Sequence, residues 1–462
     1  MRAGSFHHSL RRIVPLAWPV VVGQVAVLAF STVDTVLVAR HSTADLAALA
    51  VGAAIYITVF IGFMGVVLAV SPIVGLLHGA QRYGEVGLQL HQSIWLALGL
   101  AVIGSSLLAF PGPFLALARV DAEVADKIRG YLLMLAFALP ASLLFTVFRG
   151  FNTAVARPKA VMAIQLAGLG LKLPLSMLLV SGAPEWGIPA LGVTGCGIAT
   201  LVAMWSQTLA GMLLLRRDPF YQRFELDGMR RLRPPHGPSL RALLRLGLPM
   251  GASVLVEVTA FSFMGLFIAR LGSTPVAGHQ IALNLVSLLF MVPLGLANAC
   301  STLVAQSLGA DRPADARRLA WHGWHLTLGV SIVLGGLLYL AREPVVGLYT
   351  RNEAVAAATL PLLAWVALFH AADAVQTLVA FVLRAWHIAS VPLIIYAVAL
   401  WGVGLGGGFA LAFDVFGNSP AGLQGALGFW TAATAGLVLA AGGLTALMIW
   451  VTHGLGAAPE PR

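Results

Sequence analysis

The stretch SVLVEVTAFSFMGLFIA, residues 253–269, is a continuous apolar run that contains a single charged side chain, Glu257. A run of about 20 such residues is long enough to cross a lipid bilayer as one helix. Similar runs recur along the chain, in which 59% of the residues are hydrophobic and only 10% are charged. Because these proportions lie far outside those of soluble domains, the sequence predicts a membrane protein.

The apolar runs are continuous rather than alternating with a period of two residues, which favours helices over β-strands as the spanning elements. Polar, Gly and Pro residues separate the runs from one another. We therefore predict an all-α polytopic membrane protein with twelve transmembrane helices. The predicted spans are 14–39, 52–77, 93–115, 129–149, 160–181, 189–215, 244–269, 278–306, 319–341, 356–383, 389–413 and 426–451.

The chain contains an internal repeat with an offset of 230 residues. SLRRIVPLAWP (9–19) aligns with SLRALLRLGLP (239–249), and HGAQR (78–82) aligns with LGADR (308–312), without any gap between these landmarks. We predict two pseudo-symmetric six-helix bundles. Because six is even, both bundles enter the membrane in the same direction, so the repeat is parallel and its pseudo-two-fold axis runs along the membrane normal.

The repeat also predicts the domain organisation. An N-lobe of six helices is expected over 1–230 and a C-lobe of six helices over 231–462, with substrate bound between them. The longest polar stretch, about 216–243, would then be a cytoplasmic linker.

The distribution of basic residues predicts the orientation. Twenty of the 28 Lys and Arg residues fall on the side of the N-terminus and the linker, against seven on the other side. Basic loops remain in the cytoplasm, so we place both termini there, in a multi-pass protein of the bacterial cytoplasmic (inner) membrane. The net charge of +10 then reflects loops that face anionic lipid, and gives no reason to expect a nucleic-acid partner.

With Arg129, Arg149 and Arg245 at the span ends counted among the loops, four charged residues remain inside the predicted spans: Asp34, Lys172, Glu257 and Asp373. Each costs roughly 2.5–3.5 kcal/mol at the centre of a spanning helix, so a functional role is the default explanation. The alternative is that they form ion pairs or neutral acids that hold the bundle together.

The carboxylates are not copies of one another under the repeat, because Glu257 aligns with Val27 and Asp34 aligns with Met264. One half of the chain is therefore expected to handle a coupling ion. Burial favours a protonated carboxyl group, whereas a small cation nearby favours the carboxylate, so such a site can bind either H⁺ or Na⁺.

Several segments resemble the multidrug and toxic compound extrusion (MATE) family, and its NorM-like branch in particular. They are WPVVVGQ and STVDTVL within 18–37, ALGVTGCGIAT (190–200), LVEVTAF around Glu257, GHQIALNLVSLLFMVP (278–293) and FHAADAVQTLVAFVLR (369–384). The resemblance covers essentially the whole chain. It implies a secondary antiporter that uses alternating access to export cationic or amphipathic drugs in exchange for Na⁺ or H⁺.

The resemblance also implies roles for individual residues. Glu257 and Asp373 match the acids of the family's second-lobe cation site, where Na⁺ is the possible metal ion, and Asp34 matches an acid of the first lobe. No other cofactor is expected. The protein is expected to act as a monomer whose partners are membrane lipid and small drugs.

Lys172 departs from the family pattern, which commonly has Asn at this position. The ammonium could pair with Asp34 and keep that acid charged. It could instead repel cationic substrates and shift the preference toward neutral or anionic compounds. A purely structural pair, or an ammonium that reaches water in a cavity, is the third interpretation.

A second departure lies in FHAAD, where Phe369 stands at a position that is Tyr in some relatives. His370 precedes Asp373 by three residues and shares its helical face. A histidine there could favour proton coupling over Na⁺, or it could simply be a packed neutral side chain.

Other polar and proline residues complete the predicted site. Gln24, Gln280 and Asn284 are candidates to line a cavity, although hydrogen bonding between helices would explain them equally well. Pro19 and Pro249, which the repeat aligns, could bend their helices and act as hinges.

Two other functions remain open at this stage. An intramembrane aspartyl enzyme could use Asp34 and Asp373 as a dyad, but they lie in opposite halves and no recognisable acid motif surrounds them. A lipid-linked saccharide flippase of the same wider superfamily would need basic residues for a pyrophosphate group, and Lys172 keeps that alternative open.

Overall fold

The computed structural model describes residues 6–118, 121–226, 232–417 and 419–454. These ranges contain sixteen α-helices, and no β-strand occurs within them. The helices are α1 (Phe6–His41), α2 (Thr43–Val67), α3 (Val70–Gly79), α4 (Tyr83–Ala109), α5 (Gly112–Ala118), α6 (Ala122–Ala154), α7 (Pro158–Ser181), α8 (Gly192–Arg217), α9 (Gly237–Ala269), α10 (Ser273–Gly309), α11 (Pro313–Leu340), α12 (Arg342–Tyr349), α13 (Glu353–Ala385), α14 (Ser390–Tyr396), α15 (Gly407–Ala412) and α16 (Ala426–Gly454).

Within the described ranges, twelve helical segments are long and apolar enough to cross a membrane, which confirms the predicted number. Several are longer than predicted. The second span begins at Thr43 rather than at 52, because the Ser42 hydroxyl caps the helix by accepting a hydrogen bond from the Asp45 amide at 3.4 Å. Apolar runs predict the part of a helix that lies in lipid, whereas polar caps and interfacial turns extend the helix beyond it.

The chain divides into two compact units. We call Val22–Gly251 the first unit, and Met1–Val21 together with Ala252–Arg462 the second unit. These bounds differ from the predicted domains 1–230 and 231–462, and the predicted junction between residues 230 and 231 lies outside the described residues. The sequence repeat could not reveal this division, because α1 and α9 each contribute residues to both units.

Pro19 and Pro249 lie inside α1 and α9, respectively. The chain passes from one unit to the other after Val21 and after Gly251, two residues beyond each proline. A proline removes one hydrogen bond from its helix, so these positions are suited to bending. The hinge role stays a prediction.

Each unit is organised around one central helix. In the first unit α6 packs against α2, α4 and α8, and in the second unit α13 packs against α10, α11 and α16. Each of these helices has its counterpart in the other unit under the 230-residue repeat. The predicted pair of six-helix halves is therefore confirmed in the packing pattern of each unit.

The repeat extends to an unusual backbone conformation. Gln81 and Asp311, which align in the repeat, both have positive φ angles, of 58° and 55°. In both turns the next amide bonds a carbonyl five residues back, at 3.0 Å for Arg82 and 2.9 Å for Arg312. This pattern ends a helix with a left-handed residue and satisfies carbonyl groups that the helix leaves open.

The eleventh span differs from the regular helix predicted over 389–413. Between α14 and α15, residues Ala397–Gly406 form a π-helix. The small residues of GVGLGG (402–407) pack closely against α16: a Cβ atom on Gly436 would lie 3.2 Å from the Gly404 nitrogen. Hydropathy cannot distinguish the wider π turn from an α turn, because both present an apolar surface.

Candidate functional site

The carboxylates of Glu257 on α9 and Asp373 on α13 meet at a single amide in the second unit. Gln376 Nε2 donates to Glu257 Oε1 at 3.0 Å and to Asp373 Oδ1 at 2.9 Å. Asp373 is only 5% exposed. The structure thus brings together the two predicted coupling acids through a residue that sequence reasoning missed, although Gln376 follows Asp373 by three residues on the same helical face.

A tyrosine fixes the orientation of this amide. Tyr396 of α14 donates its hydroxyl hydrogen to Gln376 Oε1. The Thr377 hydroxyl lies 3.1 Å from Gln376 Nε2, so three acceptor atoms surround an NH₂ group that has two hydrogens. We call Glu257, Asp373, Gln376, Thr377 and Tyr396 the α9–α13 site.

No Lys, Arg or His forms an ion pair with Glu257 or Asp373 in the part of the chain that the structure describes. The same ranges contain no group of three or more His, Cys, Asp and Glu side chains that could hold a metal ion. Two carboxylates and a hydroxyl offer oxygen ligands to a small monovalent cation, and the carboxylates could equally share a proton. The arrangement suits a cation that binds and leaves.

The π-helix of the eleventh span contacts the helix that carries Glu257. Trp401 Nε1 donates to the backbone carbonyl of Val256 at 3.0 Å, one residue before the acid. Because π turns widen a helix and often occur at functional positions, this contact places an irregular segment against the α9–α13 site.

His370 and Phe369 lie on α13, but neither hydrogen bonds to the acids. His370 is 0% exposed, and both of its ring nitrogens lack a hydrogen-bond partner among the described residues. Phe369 packs against Phe261 and Trp430, with ring centroids 5.8 and 5.2 Å apart. Of the two polar neighbours of Asp373 on its helical face, the structure joins Gln376 to the acid and leaves His370 apart.

The first unit contains the other two intramembrane charges as a direct ion pair. Lys172 Nζ on α7 lies 2.6 Å from Asp34 Oδ2 on α1, and their side chains are 3% and 9% exposed. The Ser176 hydroxyl donates to the second carboxylate oxygen at 3.4 Å. Pairing was one of the interpretations that the sequence left open for Lys172, and the structure contains it.

Asp34 and Asp373 each take their partners from their own unit. Asp34 is paired with Lys172, and Asp373 is hydrogen bonded to Gln376. A catalytic dyad of Asp34 and Asp373 would require these two acids to share one proton, whereas each is bonded to a different residue of its own unit.

The three predicted cavity amides have different environments. The Gln24 side chain accepts a hydrogen bond from Arg149 Nη1 at 3.2 Å. Asn284 is exposed and accepts from the Tyr349 hydroxyl at 2.8 Å, and Gln280 is exposed on the same helix. Hydrogen bonding between elements thus accounts for two of the three amides.

Known proteins resemble this chain over most of its length. The MatE family matches residues 19–178 and 249–409, two segments whose starts are separated by the 230 residues of the repeat. The chain is 41% identical over 435 residues to a probable multidrug resistance protein NorM from Aromatoleum aromaticum, covering 94% of this chain and 91% of the relative. It is 34% identical to the multidrug resistance protein PmpM of Pseudomonas aeruginosa, covering 94% and 89% of the two chains.

Solved structures show the same fold. An outward-facing multidrug resistance MATE family transporter of the MOP superfamily has a TM-score of 0.86 at 17% identity, with 99% of each chain covered. The eukaryotic MATE transporter AtDTX14 has a TM-score of 0.85 at 20% identity, with 96% of each chain covered. The chain belongs to the MatE family. It is therefore a membrane transporter of the NorM-like type and not an enzyme.

Proposed function

We propose that this protein is a secondary active antiporter of the bacterial cytoplasmic membrane. It exports cationic or amphipathic organic compounds in exchange for Na⁺ or H⁺, which binds at Glu257 and Asp373. The multidrug resistance proteins among its relatives support the efflux role. The exchange with a cation rests on the α9–α13 site.

One observation supports the coupling role above the others. Gln376 Nε2 contacts both Glu257 Oε1 and Asp373 Oδ1 within 3.0 Å, and no ion pair neutralises either acid in the described ranges. Asp373 is buried and Glu257 is partly buried. Two carboxylates close together favour a bound cation or proton, because adjacent negative charges repel each other where little water screens them.

The mechanism follows from differential binding. A cation that enters from outside binds the two acids and favours one arrangement of the halves, and the drug is released outward from that arrangement. Coupling requires that cation and drug have different affinities for the two arrangements, because a ligand that binds both equally shifts neither population.

The test is ethidium export from proteoliposomes under an imposed Na⁺ gradient or pH gradient, applied one at a time. We expect the wild-type protein to respond to one of them, and Glu257→Gln and Asp373→Asn to lose the response. Glu353→Gln is a matched control, because Glu353 is an exposed acid in the first turn of α13, the helix that carries Asp373. Preserved gradient-driven export in both site variants would show that the coupling site lies elsewhere.

His370 decides a secondary question in the same assay. Its burial without hydrogen-bond partners favours the packed neutral histidine over a proton carrier. We therefore expect His370→Asn to respond to the same gradient as the wild-type protein. A switch from a pH response to a Na⁺ response would instead assign the histidine to proton coupling.

The lipid-linked saccharide flippase remains the alternative function. It would use Lys172 to bind a pyrophosphate group, yet this ammonium lies 2.6 Å from Asp34. An ammonium already paired with a carboxylate attracts an additional anion weakly, which weighs against the flippase. Absence of ethidium export under both gradients, together with transport of a lipid-linked saccharide, would favour the flippase over the drug antiporter.

A further inference from the structure

Lys172 places a positive charge where a mobile cation would sit on Asp34. Its ammonium is 2.6 Å from Asp34 Oδ2, and both side chains are less than one-tenth exposed. At this distance the ammonium occupies a lone-pair position of that carboxylate oxygen and neutralises its charge. The contact is a charge-assisted hydrogen bond in a water-poor environment, where breaking it leaves two uncompensated charges.

The remaining neighbours of Asp34 complete a cation environment around the ammonium. Ser176 Oγ donates to Asp34 Oδ1 at 3.4 Å, and Lys172 Nζ lies 4.9 Å from the centroid of the Phe30 ring. The face of an aromatic ring attracts a cation, and most strongly when the cation is desolvated. The carboxylate and the ring therefore both stabilise a monovalent positive charge at this point.

No other ionised group competes for Asp34 within the described ranges. The titratable groups that interact with it from the helices packed around it are the Cys196 thiol on α8 and the Tyr131 phenol on α6. Thiols and phenols are mostly neutral near pH 7. Lys172 is thus the only charged partner of this acid in the part of the first unit that the structure describes.

The acids of the second unit are not neutralised by a directly bonded ammonium group. There Glu257 and Asp373 contact the amide of Gln376, which is neutral, and neither forms an ion pair among the described residues. Arg384 of α13 interacts electrostatically with Glu257 without forming an ion pair, whereas Asp34 has a directly bonded counter-charge in its own unit.

We propose that Lys172 is a built-in cation that fills the cation position of Asp34, so that the first unit binds no coupling ion and Lys172 sets the number of cations exchanged per drug. This inference rests on the proposed coupling role of Glu257 and Asp373. Removing the ammonium converts Asp34 into an acceptor for a mobile Na⁺ or H⁺.

The experiment measures cation binding rather than transport. Purified full-length protein in detergent is titrated with ²²Na⁺ in the background Glu257→Gln/Asp373→Asn, which lacks the acids of the second unit. We expect no binding in this background. Adding Lys172→Met, which keeps the length of the side chain without its charge, is expected to create about one Na⁺ or H⁺ site per molecule.

Proton uptake is followed on the same samples by infrared spectroscopy of the protonated carboxyl group. We expect either Na⁺ binding or a protonated carboxyl signal near neutral pH, and we expect either signal to vanish when Asp34→Asn is added to Lys172→Met. Lys172→Gln provides a second variant if the methionine variant does not fold, with thermal unfolding as the check on folding.

The possible outcomes separate this inference from the proposed function. Na⁺ binding in the Glu257→Gln/Asp373→Asn background that disappears with Asp34→Asn would overturn the proposal that Lys172 is a built-in cation. Asp34 would then bind a mobile ion beside Lys172. Binding in that background that persists with Asp34→Asn would overturn the coupling role of Glu257 and Asp373. Folded Lys172 variants that show neither Na⁺ binding nor a protonated carboxyl group would also refute the proposal that Lys172 is a built-in cation.

Discussion

Gln376 on α13 and Glu257 on α9 are joined by a hydrogen bond of 3.0 Å, although 119 residues separate them in the chain. The same amide nitrogen contacts Asp373, so one neutral side chain holds two acids from different helices in a fixed relationship. A transporter that alternates between two arrangements can use such a bridge, because any movement of α9 against α13 changes the environment of both acids.

Replacing Gln376 with Leu should keep the volume of the side chain but remove the bridge. We expect gradient-driven export to fall by about tenfold to a hundredfold, since a hydrogen bond to a charged group contributes roughly 1.5–3 kcal/mol. Ethidium export in proteoliposomes measures the loss. Gln222→Leu is the control, because Gln222 is exposed and lies outside the spanning helices; equal losses in both variants would contradict a specific role for the bridge.

The buried pair of Lys172 and Asp34 predicts a non-additive effect on stability. Lys172→Met leaves a buried carboxylate without its partner and should lower the free energy of unfolding by about 3–5 kcal/mol. Adding Asp34→Asn should recover most of this loss, because the charge that was left alone is then gone. Thermal unfolding of the wild-type protein, both single variants and the double variant checks this, and additive losses would argue against the pair.

The two aligned prolines predict a change in transport without a loss of stability. Pro19→Ala and Pro249→Ala restore a backbone donor to α1 and α9, which should stiffen both helices and reduce export several-fold while folding is retained. Pro15→Ala is the control, because Pro15 lies inside α1 but aligns with Arg245 in the repeat. The hinge prediction fails if all three variants export drug at the same rate.

The segment between α8 and α9, the predicted linker, is expected to depend on pH independently of coupling. Asp218 accepts from the Phe220 amide at 2.9 Å and from Arg157 at 2.6 Å, and the pKa of its carboxyl group is lowered, first by the backbone hydrogen bond and then by Arg157. A lowered pKa stabilises the folded linker above the ordinary Asp value of 3.8, and this stabilisation is lost as the pH falls through the folded pKa.

The Asp218→Asn variant tests this ion pair at neutral pH. We expect faster amide hydrogen exchange over Pro219–Phe224 than in the wild-type protein at pH 7, and a smaller difference in acid, where the wild-type carboxylate is also neutralised. Arg157 also lies 4.5 Å from the Phe220 ring centroid, so the segment should loosen rather than unfold. Equal exchange at pH 7 would show that the pair does not hold the linker.

The sequence predicted the spanning helices and the acids because both depend on local properties. A helix in lipid satisfies its own hydrogen bonds, so each apolar run specifies its element without reference to the others. Glu257 stood out for the same reason, since a charge in an apolar run is costly wherever its helix packs. The 230-residue repeat then predicted two halves, which the packing around α6 and α13 confirms.

The sequence did not predict which side chains contact these acids. His370 and Gln376 lie three residues before and after Asp373, and helical geometry alone gives both the same chance of contacting the acid. Only the positions of α14 and α9 beside α13 decide the choice, because Tyr396 supplies the donor and Glu257 the acceptor that orient the Gln376 amide.

By itself, then, the sequence determined a helical membrane transporter with two related halves and four intramembrane charges, because hydropathy and charge act residue by residue. The tertiary structure decided that Lys172 neutralises Asp34, across 138 positions of sequence, while Glu257 and Asp373 share an uncharged amide. It also decided that α1 and α9 each serve both units. These outcomes depend on which helix faces which, and a hydrogen bond forms only where two side chains arrive within about 3 Å of each other.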